Sequence, residues 1–171
     1  MDWLDIKEFI KDTIKYIIFI VVVLFIAIYV IGLQQIVGDS MSPTLKNNNI
    51  VLIDKFTPRF LEIKRGDIVT FYYDETKYLI KRIIGMHGEY IEIKNNKIYI
   101  DNKPIQDYVE VDSMMNFKLE FLGYDKIPED MYFVMGDNRG NSLDSRDYRV
   151  GLIKKEDIVG KQLIKVWPLT K

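Results

Sequence analysis

GDIVTFYY, Gly66 to Tyr73, and YLIKRIIG, Tyr78 to Gly85, stand on either side of the charged connection DETK. Both runs are short, rich in β-branched and aromatic residues, and closed by Gly or by charge, which is how strands read. The same pattern continues in both directions. Ile50 to Ile53 follows a polar NNN turn, and EYIEIKNNKIYIDNKPI, Glu89 to Ile105, alternates about Asn95-Asn96 as a hairpin does. Asp130 to Met135 and Ile158 to Trp167 supply later strands, whereas 106–128 is the least regular stretch and reads as a loop or an extended hairpin. No long amphipathic helix and no internal repeat occur after residue 36. The expected fold is therefore mostly β, a sheet-rich barrel or sandwich over residues 36–171. That architecture serves many chemistries, so function has to come from particular residues.

Upstream lies a run of another kind. YIIFIVVVLFIAIYVIGL, Tyr16 to Leu33, contains no charge. As a helix rising about 1.5 Å per residue it covers about 27 Å, close to the apolar thickness of a bilayer. A core helix would show a polar face, and this run shows none. A cleavable leader would end in small residues, yet this run leads into Gln34-Gln35. The expectation is one transmembrane helix over 16–33, with the lipid bilayer as a partner. Lys7, Lys11 and Lys15 precede the run and Lys46 is the first basic residue after it, which places the N-terminus in the cytoplasm and the β-rich domain outside. Trp3, Ile6, Ile10 and Ile14 recur at helical spacing, so 1–15 reads as an amphipathic segment along the headgroups.

Among 171 residues the formal net charge is -1, and no basic excess points to nucleic acid. There is no cysteine, which excludes disulfides, thiolate nucleophiles and Cys-ligated metals.

Three segments could carry chemistry. GDSMSPTL, Gly38 to Leu45, places Ser40 a few residues beyond the apolar run. In the strand YLIKRIIG, alternation puts Leu79, Lys81 and Ile83 on one face and Ile80, Arg82 and Ile84 on the other, so a cation shares a face with aliphatic neighbours. A lysine that snorkels to water is the plain reading. A buried lysine loses its proton more readily and can then accept one from a serine hydroxyl. The third segment, MGDNRGNSLDSRDYRVG, Met135 to Gly151, is dense in Asp, Asn and Ser. Its oxygen spacing lacks the closing Glu of an EF-hand, so no metal site is expected. His87, the only histidine, sits in the turn GMHGE, where a structural role is expected.

Taken together, these segments resemble the conserved boxes of type I signal peptidases, the serine–lysine leader peptidases of membranes. Ser40, Met41, Pro43, Thr44 and Leu45 match the nucleophile box S-M-x-P-T-L, and Lys81, Arg82 and Gly85 match the lysine box. Gly136 through Arg146 match G-D-N-R-x-x-S-x-D-S-R in full, and GDIV at Gly66 also fits.

The resemblance implies a signal-peptidase-like β-sheet catalytic domain behind one N-terminal transmembrane helix, working without a cofactor. It implies a serine endopeptidase in which Ser40 is the nucleophile and Lys81 the general base. Ser142 would orient the Lys81 amine, and Asp144 and Arg146 would pair in support. The substrates would be signal peptides of exported preproteins, cut after small residues. Ile36, Met41, Leu45 and Ile80, beside the dyad in sequence, are the expected pocket walls. This chain departs from the pattern twice. Gly38 stands where some members carry a Ser or Thr that helps hold the oxyanion, which leaves the Ser40 N–H as the main donor with Gly38 in a lesser part. His87 stands where Pro is more usual. The rival readings are a self-cleaving repressor-type serine–lysine peptidase, an inactive anchored adaptor, and a metal-binding surface module.

Overall fold

A computed structural model describes residues 3–74, 76–111 and 113–167. The first element is the helix α1, Trp3–Phe25, which ends in a π-helical turn, Ile26–Val30. Asp5–Val30 is long and apolar enough to cross a membrane, with a mean hydropathy of 2.7 over its best window and none of that window buried. The helix stops sooner than the apolar composition suggests. Ile31, Gly32 and Leu33, expected within the span, belong instead to strand β1, Ile31–Gln35. β1 pairs antiparallel with β2, Ile50–Asp54, from Ile31 opposite Asp54 to Gln35 opposite Ile50. Lys55, just past β2, closes the junction. Its main-chain N–H donates to Val30 O at 2.8 Å and its ammonium to Ile28 O at 3.2 Å. A cation suits the carbonyl end of a helix, where the dipole is negative.

After a single short helical turn, α2, Thr57–Phe60, the chain is strands and loops. The strands are β3, Ile68–Tyr72; β4, Tyr78–Gly85; β5, Ile91–Lys94; β6, Lys97–Ile100; β7, Lys103–Pro104; β8, Phe117–Lys118; β9, Met131–Met135; β10, Ile153–Lys154; and β11, Ile158–Trp167. Seven strands form one sheet in the order β1-β2-β11-β3-β4-β9-β10, and four form another in the order β7-β6-β5-β8. The expected hairpin is β5–β6. Asn95 and Asn96 at its turn both have positive φ, 50° and 59°, as the tightest hairpin turn requires. Among its described residues the irregular 106–128 stretch contributes the short β8 and a 3-10 turn, Leu119–Leu122.

β4 explains why YLIKRIIG is apolar nearly throughout. It lies inside the larger sheet, between β3 and β9, and is covered on both faces. Ile80 packs with Ile36, Met41, Leu45 and Val51, whereas Ile83 packs with Val69, Phe71 and Val134. Ile84 joins a third cluster that includes Ile91, Phe117 and Phe133 beneath the smaller sheet. A lysine at position 81 is therefore carried into the protein by strand geometry.

Candidate active site

Lys81 is only 1% exposed, and its Nζ lies 2.7 Å from Ser40 Oγ and 2.9 Å from Ile80 O. The two residues come from segments that meet only in three dimensions. Lys81 projects from β4. Ser40 sits in the compact turn after β1, where Ser42 N bonds Asp39 O at 3.1 Å and Leu45 N bonds Met41 O at 2.8 Å. Gly38 enters that turn with φ of +86°, a left-handed conformation that glycine adopts without a steric penalty. The Gly38 N–H donates to Asn47 Oδ1 at 3.0 Å. It is thus spent on holding the turn, which argues against the lesser oxyanion part expected for it. Burial pushes the Lys81 ammonium from the ordinary 10.5 down to about 8, although Asp144 and Asp137 favour the charged form. A group with that value keeps an appreciable neutral fraction near neutral pH.

The loop after β9 braces the pair. Asn138 N donates to Ser40 O at 3.0 Å, and Asn138 Nδ2 donates to Asp39 O at 3.2 Å. Asp144 Oδ2 accepts the Gly136 N–H at 3.0 Å, and both Asp144 oxygens accept from the Arg146 guanidinium at 2.8 Å. Arg146 Nη1 also reaches Arg139 O at 2.7 Å. Ser142 is placed differently from expectation. Its hydroxyl is buried and makes no hydrogen bond, because the Lys81 amine is turned toward Ser40 and Ile80. Ser142 nonetheless lies against the Ser40 turn. A Cβ on Gly136 would come within 2.1 Å of Ser142 Oγ and 2.4 Å of Ser40 O, so only glycine lets these strands of chain approach so closely.

The sequence motifs include Arg82 and give Asp137 a structural part only, without pairing the two. The Arg82 Nε donates to Asp137 Oδ1 at 2.8 Å, its Nη2 donates to Asp137 Oδ2, and its Nη1 reaches Gly66 O at 2.9 Å. Thr44 Oγ1 also donates to Asp137 Oδ2. One carboxylate thereby joins the lysine strand, the serine turn and the braced loop. The available signal was the cation paired with Lys81 in KR, which had to find a buried partner of its own.

A groove of about 250 Å³ opens beside the pair, lined by Gln34, Ile36, Val37, Ser40, Leu79 and Ile80 among others. Of the four expected wall residues, Ile36 and Ile80 reach it. Met41 and Leu45 are fully buried core beneath, since the serine turn folds their side chains toward Val51 and Ile53. Gln34 Oε1 accepts from Thr70 Oγ1 of β3 at 2.7 Å, so the curled sheet carries the end of β1 toward β4. His87 is exposed in the turn after β4 and takes no part in the Ser40–Lys81 contact.

The chain matches known proteins along most of its length. A profile described as signal peptidase, peptidase S26, matches residues 7–167. Signal peptidase I P of Bacillus subtilis subsp. natto is 38% identical over 96% of this chain and 93% of its own. Signal peptidase I S of Bacillus subtilis strain 168 is 35% identical over 91% and 87%. A crystal structure of a signal peptidase I from Enterococcus faecalis V583 shares 31% identity with a TM-score of 0.51, covering 58% of this chain and 96% of that one. Motifs, fold and extent of match agree, and the chain belongs to the signal peptidase, peptidase S26, family.

Proposed function

We propose that this chain is a membrane-anchored serine endopeptidase that removes signal peptides from exported preproteins, with Ser40 as nucleophile and Lys81 as general base. The observation that carries this reading is the 2.7 Å contact between Ser40 Oγ and a buried lysine amine whose pKa is pushed down to about 8. Neutral Lys81 takes the proton as Ser40 Oγ attacks the scissile carbonyl. The Ser40 N–H faces the resulting oxyanion, and the lysinium returns the proton to the departing amine. Lys81 then activates the water that releases the acyl group. The helix crosses the bilayer with its apolar part from Tyr16 onward, its N-terminus in the cytoplasm, and the β-rich domain works on the outer side. The signal peptide lies extended in the groove between Gln34–Val37 and Tyr78–Lys81, where Ile36 and Ile80 leave room for small side chains before the cut.

The test is incubation of the purified full chain in detergent with a preprotein, followed by N-terminal sequencing of the product. The expected result is one cut after a small residue, made by the wild type and by His87→Ala at the same rate. Precursor held but never cut would make the chain an anchored adaptor, and an inert His87→Ala would return the base role to histidine. Gly136→Ala is expected to lower kcat/KM by about 100-fold, because the added methyl pushes Ser40 and Ser142 apart and misplaces the nucleophile. Steady-state kinetics on the same preprotein measures it, and a loss below about threefold would show that the loop accommodates the methyl.

A further inference from the structure

Helix α1 and its π-helical turn run into the β-rich domain with no loop between them. Ile31 is already extended, at φ -125° and ψ 158°, while its N–H still donates to Ile26 O of the turn. One residue thereby ends the helix and begins β1. β1 is paired with β2 along its whole length, from Ile31 to Gln35, and its far end forms one wall of the groove together with Ile36 and Val37. At about 3.4 Å per residue, the five residues of β1 carry the chain about 17 Å from the helix end to that wall.

The last carbonyls of a helix have no donor of their own, so a junction this direct needs a brace. Lys55 supplies two donors. Its main-chain N–H donates to Val30 O at 2.8 Å, and its Nζ donates to Ile28 O at 3.2 Å. The lysine stem reaches that carbonyl by crossing Gly32, where a Cβ would come within 2.7 Å of Lys55 Cε and 3.2 Å of Nζ. No left-handed backbone calls for glycine at this position, which leaves the passage of the lysine stem as its use.

We infer, on the membrane-anchored peptidase reading above, that Lys55 and Gly32 are positioning residues. They fix the helix to the groove wall, so that the groove meets a bilayer-embedded precursor in one orientation. Such a precursor is itself held by its apolar segment, and neither partner turns freely to correct a misaligned encounter. A short soluble peptide tumbles, and it enters the groove whatever the tilt of the domain on its helix. The brace therefore matters for the first substrate and not for the second.

In the experiment the full chain is reconstituted in phosphatidylethanolamine–phosphatidylglycerol vesicles and given two substrates with the same residues around the cut. One is a preprotein embedded in the same vesicles, the other a short peptide in solution. Lys55→Met keeps the stem without the ammonium, Gly32→Val pushes the stem aside, and a Gly-Gly insertion between Val30 and Ile31 uncouples the helix outright. The measured quantity is kcat/KM for the embedded preprotein divided by kcat/KM for the peptide. It is expected to fall about threefold in Lys55→Met and Gly32→Val and about tenfold with the insertion, while peptide cleavage and melting temperature stay as in wild type. Lys55→Met or Gly32→Val at the wild-type ratio overturns the inference. So does a loss shared equally by both substrates, which is what damage to the Ser40–Lys81 contact would give. A wild type that cuts neither substrate overturns the peptidase reading, and this role with it.

Discussion

Lys81→Met is expected to abolish cleavage, with kcat/KM down by more than roughly 10⁴-fold, and at the same time to make the chain more stable at neutral pH. Both effects follow from the burial of one amine. In the proposed mechanism catalysis needs its neutral form beside Ser40, and the wild-type rate is expected to rise with pH to a plateau with a midpoint near the lysine value of about 8. Stability runs as follows. The folded value of about 8 lies below the ordinary 10.5, so below pH 8 both states hold the proton and the fold bears the full cost of a buried ammonium. At about 1.4 kcal/mol per pH unit that cost is about 3 kcal/mol. Between pH 8 and 10.5 the unfolded chain binds more protons than the folded one, so stability climbs with pH and the cost vanishes above that window.

Methionine fills similar space without the charge. Its loss of hydrogen bonds to Ser40 and Ile80 takes back about 1 kcal/mol, for a net gain of about 2 kcal/mol at pH 7 that vanishes near pH 9.5 and becomes a deficit of about 1 kcal/mol by pH 10.5. Ser40→Ala should be equally inert yet close to wild type in stability. Melting temperatures of the three proteins at pH 7 and pH 10.5, with rates across pH 6 to 9, check the whole account. A flat rate profile, or a Met variant no more stable than wild type at pH 7, would show that the amine is not desolvated as its position requires.

The sequence makes Lys81 legible because strand alternation alone sets a cation among aliphatic neighbours, and the serine turn and the Asp-rich loop carry recognisable spacings. Long alternating runs such as Ile158–Trp167 are equally legible, since their period is local. What was not legible depends on partners far along the chain. Ile31 to Leu33 reads as more membrane span because nothing local distinguishes an apolar helix end from an apolar strand. Pairing with Leu52 to Asp54 settles it as strand. β7, β8 and β10, with two residues each, are too short to show a period. Met41 and Leu45 are neighbours of Ser40 in sequence, but the tight turn sends them inward, so nearness in sequence was a poor guide to the groove.

Arg82 is where that non-local dependence has its largest consequence. Arg82→Met is expected to destabilise the chain by about 3–5 kcal/mol, a substantial share of the roughly 5–15 kcal/mol that holds a domain together. The Asp137 side chain is fully buried, and removing Arg82 takes away its bidentate partner, leaving Thr44 and an Arg139 guanidinium 3.9 Å away. The melting temperature should fall by on the order of 10 °C. Asp137→Asn in the same chain should restore much of it, because the stranded charge goes while an acceptor for Thr44 remains. Activity should not return in proportion. Asp137 lies between Gly136, which admits Ser142, and Asn138, whose N–H holds Ser40 O at 3.0 Å, so the Arg82 fork aims the loop that holds the Ser40 turn. A double variant that regained full kcat/KM along with its melting temperature would reduce the pair to a stability element. One that melts like wild type and still cuts slowly, with KM little changed, would make Arg82 and Asp137 positioning residues for the Ser40–Lys81 contact.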